Sequence, residues 1–508
     1  VRRLFAINAV LTRRGLGLIA TEVGLQRRSP KQGLGATRSA ITAESLRLTF
    51  EELGTTFIKF GQVLSTRPDL LSPDYIAELK QLQDQVASVA YSQMERVFEH
   101  EIGAKPDEVF ASFSKEPRAS ASIGQVYDAI LKNGMQVVVK IQRPGLDDLC
   151  RQDVDILRRM APLLARSVVG ESVDLVGAVE EFAASLQREL DFRIEARNAK
   201  LIGENFRNDP AVKVPKIVPE LTTKRVLTEE LITGIRIDDL KSLDEQGFDR
   251  HALAEKCCHI ALTQIFKHRF FHADPHPGNF FVLQNGSVGM IDFGMVGRID
   301  SRTRDTLAKL VPAVSEGDAD ELAESLLELG LVKGKVDRSR FVLDLQRLID
   351  EYAGRELGEI SIGDIGTELV DTMRRHALQF PSNLLLLVRV LSIDEGMARR
   401  LDPGFKLTEF AAPYFRKFWL EQLSPITIAK QQSRNAVEMV LGSRRAIRRA
   451  SRLLSSLDRG DFSINVNIDK VAAPIEELRL ATRVLSRSVL IGAILITAAL
   501  LLIALRVH

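Results

Sequence analysis

The residues best suited to do chemistry lie in one run, His272–Gly294, which reads HADPHPGNFFVLQNGSVGMIDFG. A nucleotide-dependent transfer site needs a carboxylate near the acceptor, an amide oxygen on a metal ion, and a second carboxylate that reaches the phosphates through Mg2+. Asp274 and Asn279 stand five apart, and Asp292 opens Asp292-Phe293-Gly294. Two short apolar runs lie between them, Phe280–Leu283 and Val288–Ile291, joined by Gln284–Ser287. That pattern predicts a hairpin which sets Asn279 and Asp292 side by side as metal ligands. Mg2+ takes few protein oxygens when phosphate is present, so one Asn and one Asp suffice. Asp274 is left as the carboxylate that faces the acceptor.

Upstream, Val137-Val138-Val139-Lys140 ends a second expected hairpin, Ser122–Leu131 and Met135–Ile141 around the turn Lys132–Gly134. A lysine on a buried strand needs an anion, and phosphate plus a helix glutamate can supply it. The run Arg188–Glu195 offers Glu189, Asp191 and Glu195. Asp191 and Glu195 would share a helix face at i,i+4, where like charges call for a cation such as Lys140. Ahead of the hairpin stands Ala119-Ser120-Ala121-Ser122-Ile123-Gly124. Its backbone amides can cradle phosphate, but with one glycine the loop is stiffer than a glycine-rich one. After the strand Arg225–Thr228, the backbone near Glu229–Leu231 is expected to meet the adenine, which makes Glu230 and Leu231 candidates.

The elements that position these groups follow from periodicity. Ala43–Ala87 reads as helix interrupted at Pro68 and Pro73, and Pro106–Phe113 as a short helix. Asp147–Asn205 reads as a long helical stretch with breaks near Pro162 and Gly170. Val212–Val218 and Arg225–Ile232 read as strands. From Asp249 the pattern is helical almost to Gly460, apart from a β-like section at Asn279–Val296. Met295–Ile299 leaves little chain before Asp300-Ser301 opens a helix. A small β-rich lobe followed by a large helical one is the expected architecture.

The 508 residues carry 69 Lys+Arg against 67 Asp+Glu, a net charge of +2. That balance excludes a uniformly basic nucleic-acid coat, and no nucleic-acid partner is expected. Three cysteines, Cys150, Cys257 and Cys258, offer no disulfide framework and point to a reducing compartment. No Cys/His spacing resembles a zinc site. Residues 489–505, VLIGAILITAALLLIAL, hold seventeen uncharged residues. A helix of that length spans about 26 Å, enough for a membrane anchor. Arg479, Arg483 and Arg487 precede it, which places the main body in the cytoplasm. Ser443–Leu454, with five arginines, reads as a helix lying on anionic headgroups. The arm through Arg38 has eight basic residues and the single acid Glu22 and is expected to be loosely ordered.

Taken together, these motifs resemble the UbiB/AarF (ADCK-type) family of atypical kinase-like proteins, over roughly Glu44–Pro403. The family's Lys-x-Gly-Gln corresponds to Lys59-Phe60-Gly61-Gln62, its alanine-rich loop to Ala119–Ser122, and its Glu-x-Asp to Glu189–Asp191. The strand-lysine partner would be Glu195, and Pro381–Arg389 fits the later helical region. Ser120 stands where alanine is more usual. Compared with protein kinases, Ala273 replaces the arginine of His-Arg-Asp, and no Ala-Pro-Glu or long activation segment follows Gly294.

The resemblance implies an α+β, bilobal protein-kinase-like fold with a helical N-terminal extension and a C-terminal membrane helix. The expected divisions are 1–42 basic arm, 43–105 extension, 106–235 N-lobe, 236–403 C-lobe, 404–487 membrane-proximal helical region and 488–507 membrane helix. It also promotes Lys59 and Gln62 to site residues, since the extension covers the active site in such proteins. It implies ATP and Mg2+ as cofactors, and membrane lipids, quinone precursors and quinone-biosynthesis enzymes as partners. An inner-membrane protein with its catalytic domain on the cytoplasmic side is expected. Its activity would be ATPase or small-molecule kinase chemistry serving isoprenoid quinone synthesis. An unusual protein kinase and a nucleotide-sensing scaffold are the alternatives; the intact Lys140, Asp274, Asn279 and Asp292 speak against the scaffold.

Overall fold

A computed structural model describes residues 2–14, 42–65, 71–82, 88–165, 175–332, 334–353, 361–379, 381–407 and 410–411. The expected membrane-proximal helices and the apolar run 489–505 lie outside these residues. Among the described residues no helix is long and apolar enough to cross a membrane.

The chain opens with α1 (Arg2–Arg13), α2 (Ala43–Leu53), α3 (Thr55–Leu64), α4 (Pro73–Leu79), α5 (Tyr91–Ile102) and α6 (Pro106–Val109). The N-lobe strands are β1 (Phe110–Phe113), β2 (Ala119–Ser120), β3 (Gly124–Leu131) and β4 (Gln136–Gln142). Helices α7 (Leu146–Leu164), α8 (Leu175–Glu189) and α9 (Phe192–Asn205) follow, then β5 (Val212–Lys213), β6 (Val226–Glu230) and β7 (Ile235–Arg236). The larger lobe contains α10 (Leu240–Glu245), α11 (Arg250–Leu262), β8 (Phe270–His272), β9 (Phe280–Val282), β10 (Val288–Met290) and β11 (Val296–Arg298). It continues with α12 (Ser301–Ser315), α13 (Ala319–Leu329), β12 (Leu331–Val332), α14 (Arg338–Ala353), α15 (Ile362–Arg375), β13 (Leu378–Gln379) and α16 (Ser382–Leu401).

The N-lobe sheet runs β1-β3-β4-β6 with β2 on β3. Its alternation decides what each face does. Tyr127, Val137, Val139, Ile141 and Val226 point to one face and pack under Met94 and Phe98 of α5. Lys140 and Val138 point to the other, paired with Leu227 and Glu229 of β6. That second face is the roof of the cleft.

Three local expectations differ from the structure. Arg2–Arg13 is helical rather than loose: Ile7 and Leu11 are buried, and Arg3 pairs with the buried Asp153 at 2.6 Å. Pro106–Phe113 is helical only to Val109; Phe110–Phe113 pairs with β3, because Phe110 and Phe113 both find the α5 core. Pro162 sits within α7 instead of breaking it. The expected interruption at Pro73 is present: α3 ends at Leu64 and Pro73 starts α4, the position where its missing N–H costs nothing.

The extension folds because its small residues let large ones interlock. Gly54, at φ 91°, splits α2 from α3 with a backbone that side chains disfavour. Phe60 packs on Phe182 of α8 with ring centroids 5.0 Å apart. Gly61 has no room to spare: a Cβ there would lie 2.3 Å from Leu82 Cδ1 and 2.6 Å from Phe50 Cδ2. Gly61→Val is therefore expected to destabilise the extension by about 1–3 kcal/mol. An unchanged midpoint in chemical denaturation would refute this packing account.

Candidate active site

Lys140 projects from the central strand β4 toward α9. Its Nζ lies 2.9 and 3.1 Å from the two oxygens of Glu195, whose side chain is 7% exposed. Burial works against the ammonium charge, yet Glu195 and then Asp292 outweigh it and raise the Lys140 pKa above the ordinary lysine range. Asp191 does not reach this pair. It caps α9 by accepting from the Arg193 amide at 3.1 Å, and its carboxylate pairs with the Arg193 guanidinium at 2.7 Å. The helix begins one residue later than a shared Asp191–Glu195 face requires, so Asp191 fixes the start of α9 rather than stacking on Glu195.

The expected hairpin forms. β9 and β10 pair antiparallel with Phe280 opposite Met290, and the Ile291 amide donates to the Asn279 carbonyl at 3.0 Å. Asn279 and Asp292 thereby leave the same end. The Asn279 side-chain NH2 donates to the Asp274 carbonyl at 3.1 Å, which turns its oxygen the other way. Asp292 adopts φ 59°, a left-handed conformation that a short polar side chain tolerates at some cost. Lys140 holds its carboxyl below the usual range against the effect of burial. A hard cation would meet here one amide oxygen and one carboxylate, a donor set that fits Mg2+ completed by phosphate.

Supporting contacts fix this arrangement. His272 is buried and kept neutral by desolvation. Its Nδ1 accepts from the Asp274 amide at 3.1 Å, so Nε2 carries the proton toward the Ile291 carbonyl at 3.2 Å. Gln264 accepts from the His272 amide at 2.7 Å, and Asn198 of α9 donates to the Phe293 carbonyl at 3.0 Å. The alanine-rich loop is braced from behind. Arg143 donates to the Ala121 carbonyl and to Ser120 Oγ, each at 2.9 Å. The Ala121 amide donates to the Gly124 carbonyl at 2.9 Å, and Thr55 of the extension donates to the Ser122 carbonyl at 3.3 Å. Gly124 is needed because a Cβ would meet the Ile141 carbonyl oxygen at 2.5 Å.

Lys59 lies 3.4 Å from Glu189, and Gln62 donates to the Leu82 carbonyl at 3.3 Å. Both line a cavity of about 810 Å³ that also reaches Asp274, Glu189 and Arg389. Arg389 of α16 comes within 3.7 Å of the Asp274 carboxylate. Sequence reasoning placed Arg389 in a helical region without a role, since its partner is more than a hundred residues away. Glu230 pairs with Lys213 at 2.7 Å, while its own amide and that of Leu231 donate to the Lys216 and Gln136 carbonyls. Glu229 was passed over as a side chain. Its Oε2 is buried without a hydrogen-bond partner. Burial, and then Glu195, raise its pKa to about 8 despite Lys140.

A two-lobed α+β architecture with this lysine–glutamate pair and this hairpin joining Asn279 to Asp292 defines a kinase-like protein. Residues 81–326 match the ABC1 atypical kinase-like domain, and residues 345–406 match the UbiB helical domain. A Clostridium pasteurianum protein, described as an uncharacterized protein in the hydrogenase 1 5′ region, is 31% identical over 99% of this chain and 92% of its own. A probable protein kinase UbiB from Cellvibrio japonicus is 36% identical over 78% of this chain and 72% of its own. A solved structure of Rv3197 with erythromycin, from Mycobacterium tuberculosis, is 25% identical and covers 69% of this chain and 90% of that one, with a TM-score of 0.49. The chain belongs to the UbiB family of atypical kinase-like proteins.

Glu229 supplies a pH test of the electrostatics. Its pKa rises from 4.5 to about 8 on folding, so the folded state binds the extra proton between those values and loses stability as pH climbs through them. Glu229→Gln removes that loss. The variant should match the wild type near pH 4.5 and exceed it by about 1–3 kcal/mol above pH 8. A stability difference independent of pH would contradict the raised carboxyl.

Proposed function

We propose that this protein is a membrane-associated ATPase or kinase that binds Mg-ATP and serves isoprenoid quinone biosynthesis by acting on small lipid intermediates. The observation that carries the reading is the convergence of Lys140, the buried Glu195 and the cleft-facing Asp292, with Asn279 at the same hairpin end as Asp292. Membrane attachment and the quinone pathway rest on family membership and on the C-terminal sequence. Mg2+ would be held by Asn279 and Asp292 and would neutralise charge on the phosphates.

The chain's own groups then have distinct tasks. Lys140, anchored by Glu195, keeps a fixed ammonium at the phosphates. The braced loop Ala119–Ser122 closes over them, its Ala121 amide given to the Gly124 carbonyl and so fixing the shape of the turn. Asp274 accepts the proton from the attacking hydroxyl or water, and Arg389 faces that carboxylate across 3.7 Å. The cavity beside Asp274 combines Lys59 and Arg389 with Leu79, Phe182 and Leu386, which suits a polar head on an apolar body. A peptide acceptor is disfavoured, since only residues 295–300 separate Gly294 from α12.

Asp274→Asn should lower phosphate release by about 10²–10⁴-fold while leaving nucleotide affinity within a few-fold. Asp292→Asn should abolish the Mg2+ dependence of nucleotide binding. Single-turnover kinetics with labelled ATP, with and without anionic vesicles, measures both. Full turnover in either variant would remove the proposed roles, and phosphorylation of a protein substrate in preference to lipid would favour the alternative of an unusual protein kinase.

A further inference from the structure

We propose that Glu229 reads the amine-bearing edge of a purine, so that the cleft takes adenine nucleotides in preference to guanine nucleotides. The inference rests on the nucleotide-binding reading above and goes beyond it by assigning the base selectivity to one side chain. Glu229 lies opposite Val138 on β4, as Leu227 lies opposite Lys140. Positions two apart on a strand share a face, so Glu229 stands on the cleft roof beside the phosphate-directed lysine and one step along from it. It is the last residue before Glu230 and Leu231, whose amides are donated to the Lys216 and Gln136 carbonyls. Glu230's own carboxylate is turned to Lys213. Glu229 has no such engagement: its Oε2 is buried without a hydrogen-bond partner in a cluster that contains Glu195, Lys140 and Asp292. A buried carboxyl oxygen without a partner is costly, and a ligand that supplies one removes the cost.

The chemistry of the base follows. A carboxyl that carries its proton presents one acceptor and one donor, the same pair as a glutamine amide. Adenine offers the complementary pair, its 6-amino hydrogen and N7. Guanine offers two acceptors, O6 and N7, so one of them would be left facing an oxygen. The burial that favours the protonated carboxyl supports this pairing.

The test compares Mg-ATP and Mg-GTP binding by titration calorimetry on the full chain and on Glu229→Gln and Glu229→Leu. The wild type should favour ATP by roughly ten- to a hundred-fold. Glu229→Gln, which keeps an acceptor and a donor, should retain that ratio within about three-fold, and Glu229→Leu should reduce it to near one. The ratio is independent of how much of each variant folds. An unchanged ratio in Glu229→Leu, a loss in Glu229→Gln, or a wild type without preference overturns the assignment while leaving the nucleotide site intact. A wild type that binds neither nucleotide overturns the site itself, and this inference with it.

Discussion

One ammonium group organises the cleft. Lys140 is carried into the roof of the N-lobe by a strand whose other face is committed to the α5 core. Such a charge needs a fixed counter-charge, and Glu195 supplies it with both oxygens. That requirement fixes where α9 lies, and Asp191 fixes where α9 begins. From there Asn198 holds the Phe293 carbonyl, so the same helix sets the segment that carries Asp292. A single electrostatic demand on β4 is thus relayed by one helix into the placement of a carboxylate in the other lobe.

The second constraint is steric. The extension can lie close because Gly61 admits Leu82 and Phe50, and because Phe60 meets Phe182. Close approach brings Lys59 to Glu189 and places both on the wall of the cavity next to Asp274. Arg389 closes on the same carboxylate from α16. The chemistry attributed to Asp274 is therefore shaped by two elements far apart in sequence, the N-terminal extension and α16.

Local patterns in the sequence were enough for much of this. The turn Lys132–Gly134 and the apolar runs around Gln284–Ser287 place both hairpins, since turn type and alternation are properties of a few neighbouring residues. Lys140, Asn279 and Asp292 could be read because each is odd in its setting: a charge or amide at the end of an apolar strand. What depended on distant partners could not be read that way. Phe110–Phe113 is a strand only because β3 accepts it. Arg2–Arg13 is ordered because Arg3 meets Asp153. Asp191 looked equivalent to Glu195 by spacing alone, and the helix start between them separates their roles. Glu229 carries no sequence signal, as an acidic residue at a strand end is ordinary until its burial is known.

The contact from Thr55 to the Ser122 carbonyl ties the extension to the alanine-rich loop, and Arg143 holds that loop through the Ala121 carbonyl and Ser120 Oγ. A loop tethered at both flanks cannot flap by itself as a hinged lid does. The extension and the loop are consequently latched together, so that a displacement of one pulls on the other.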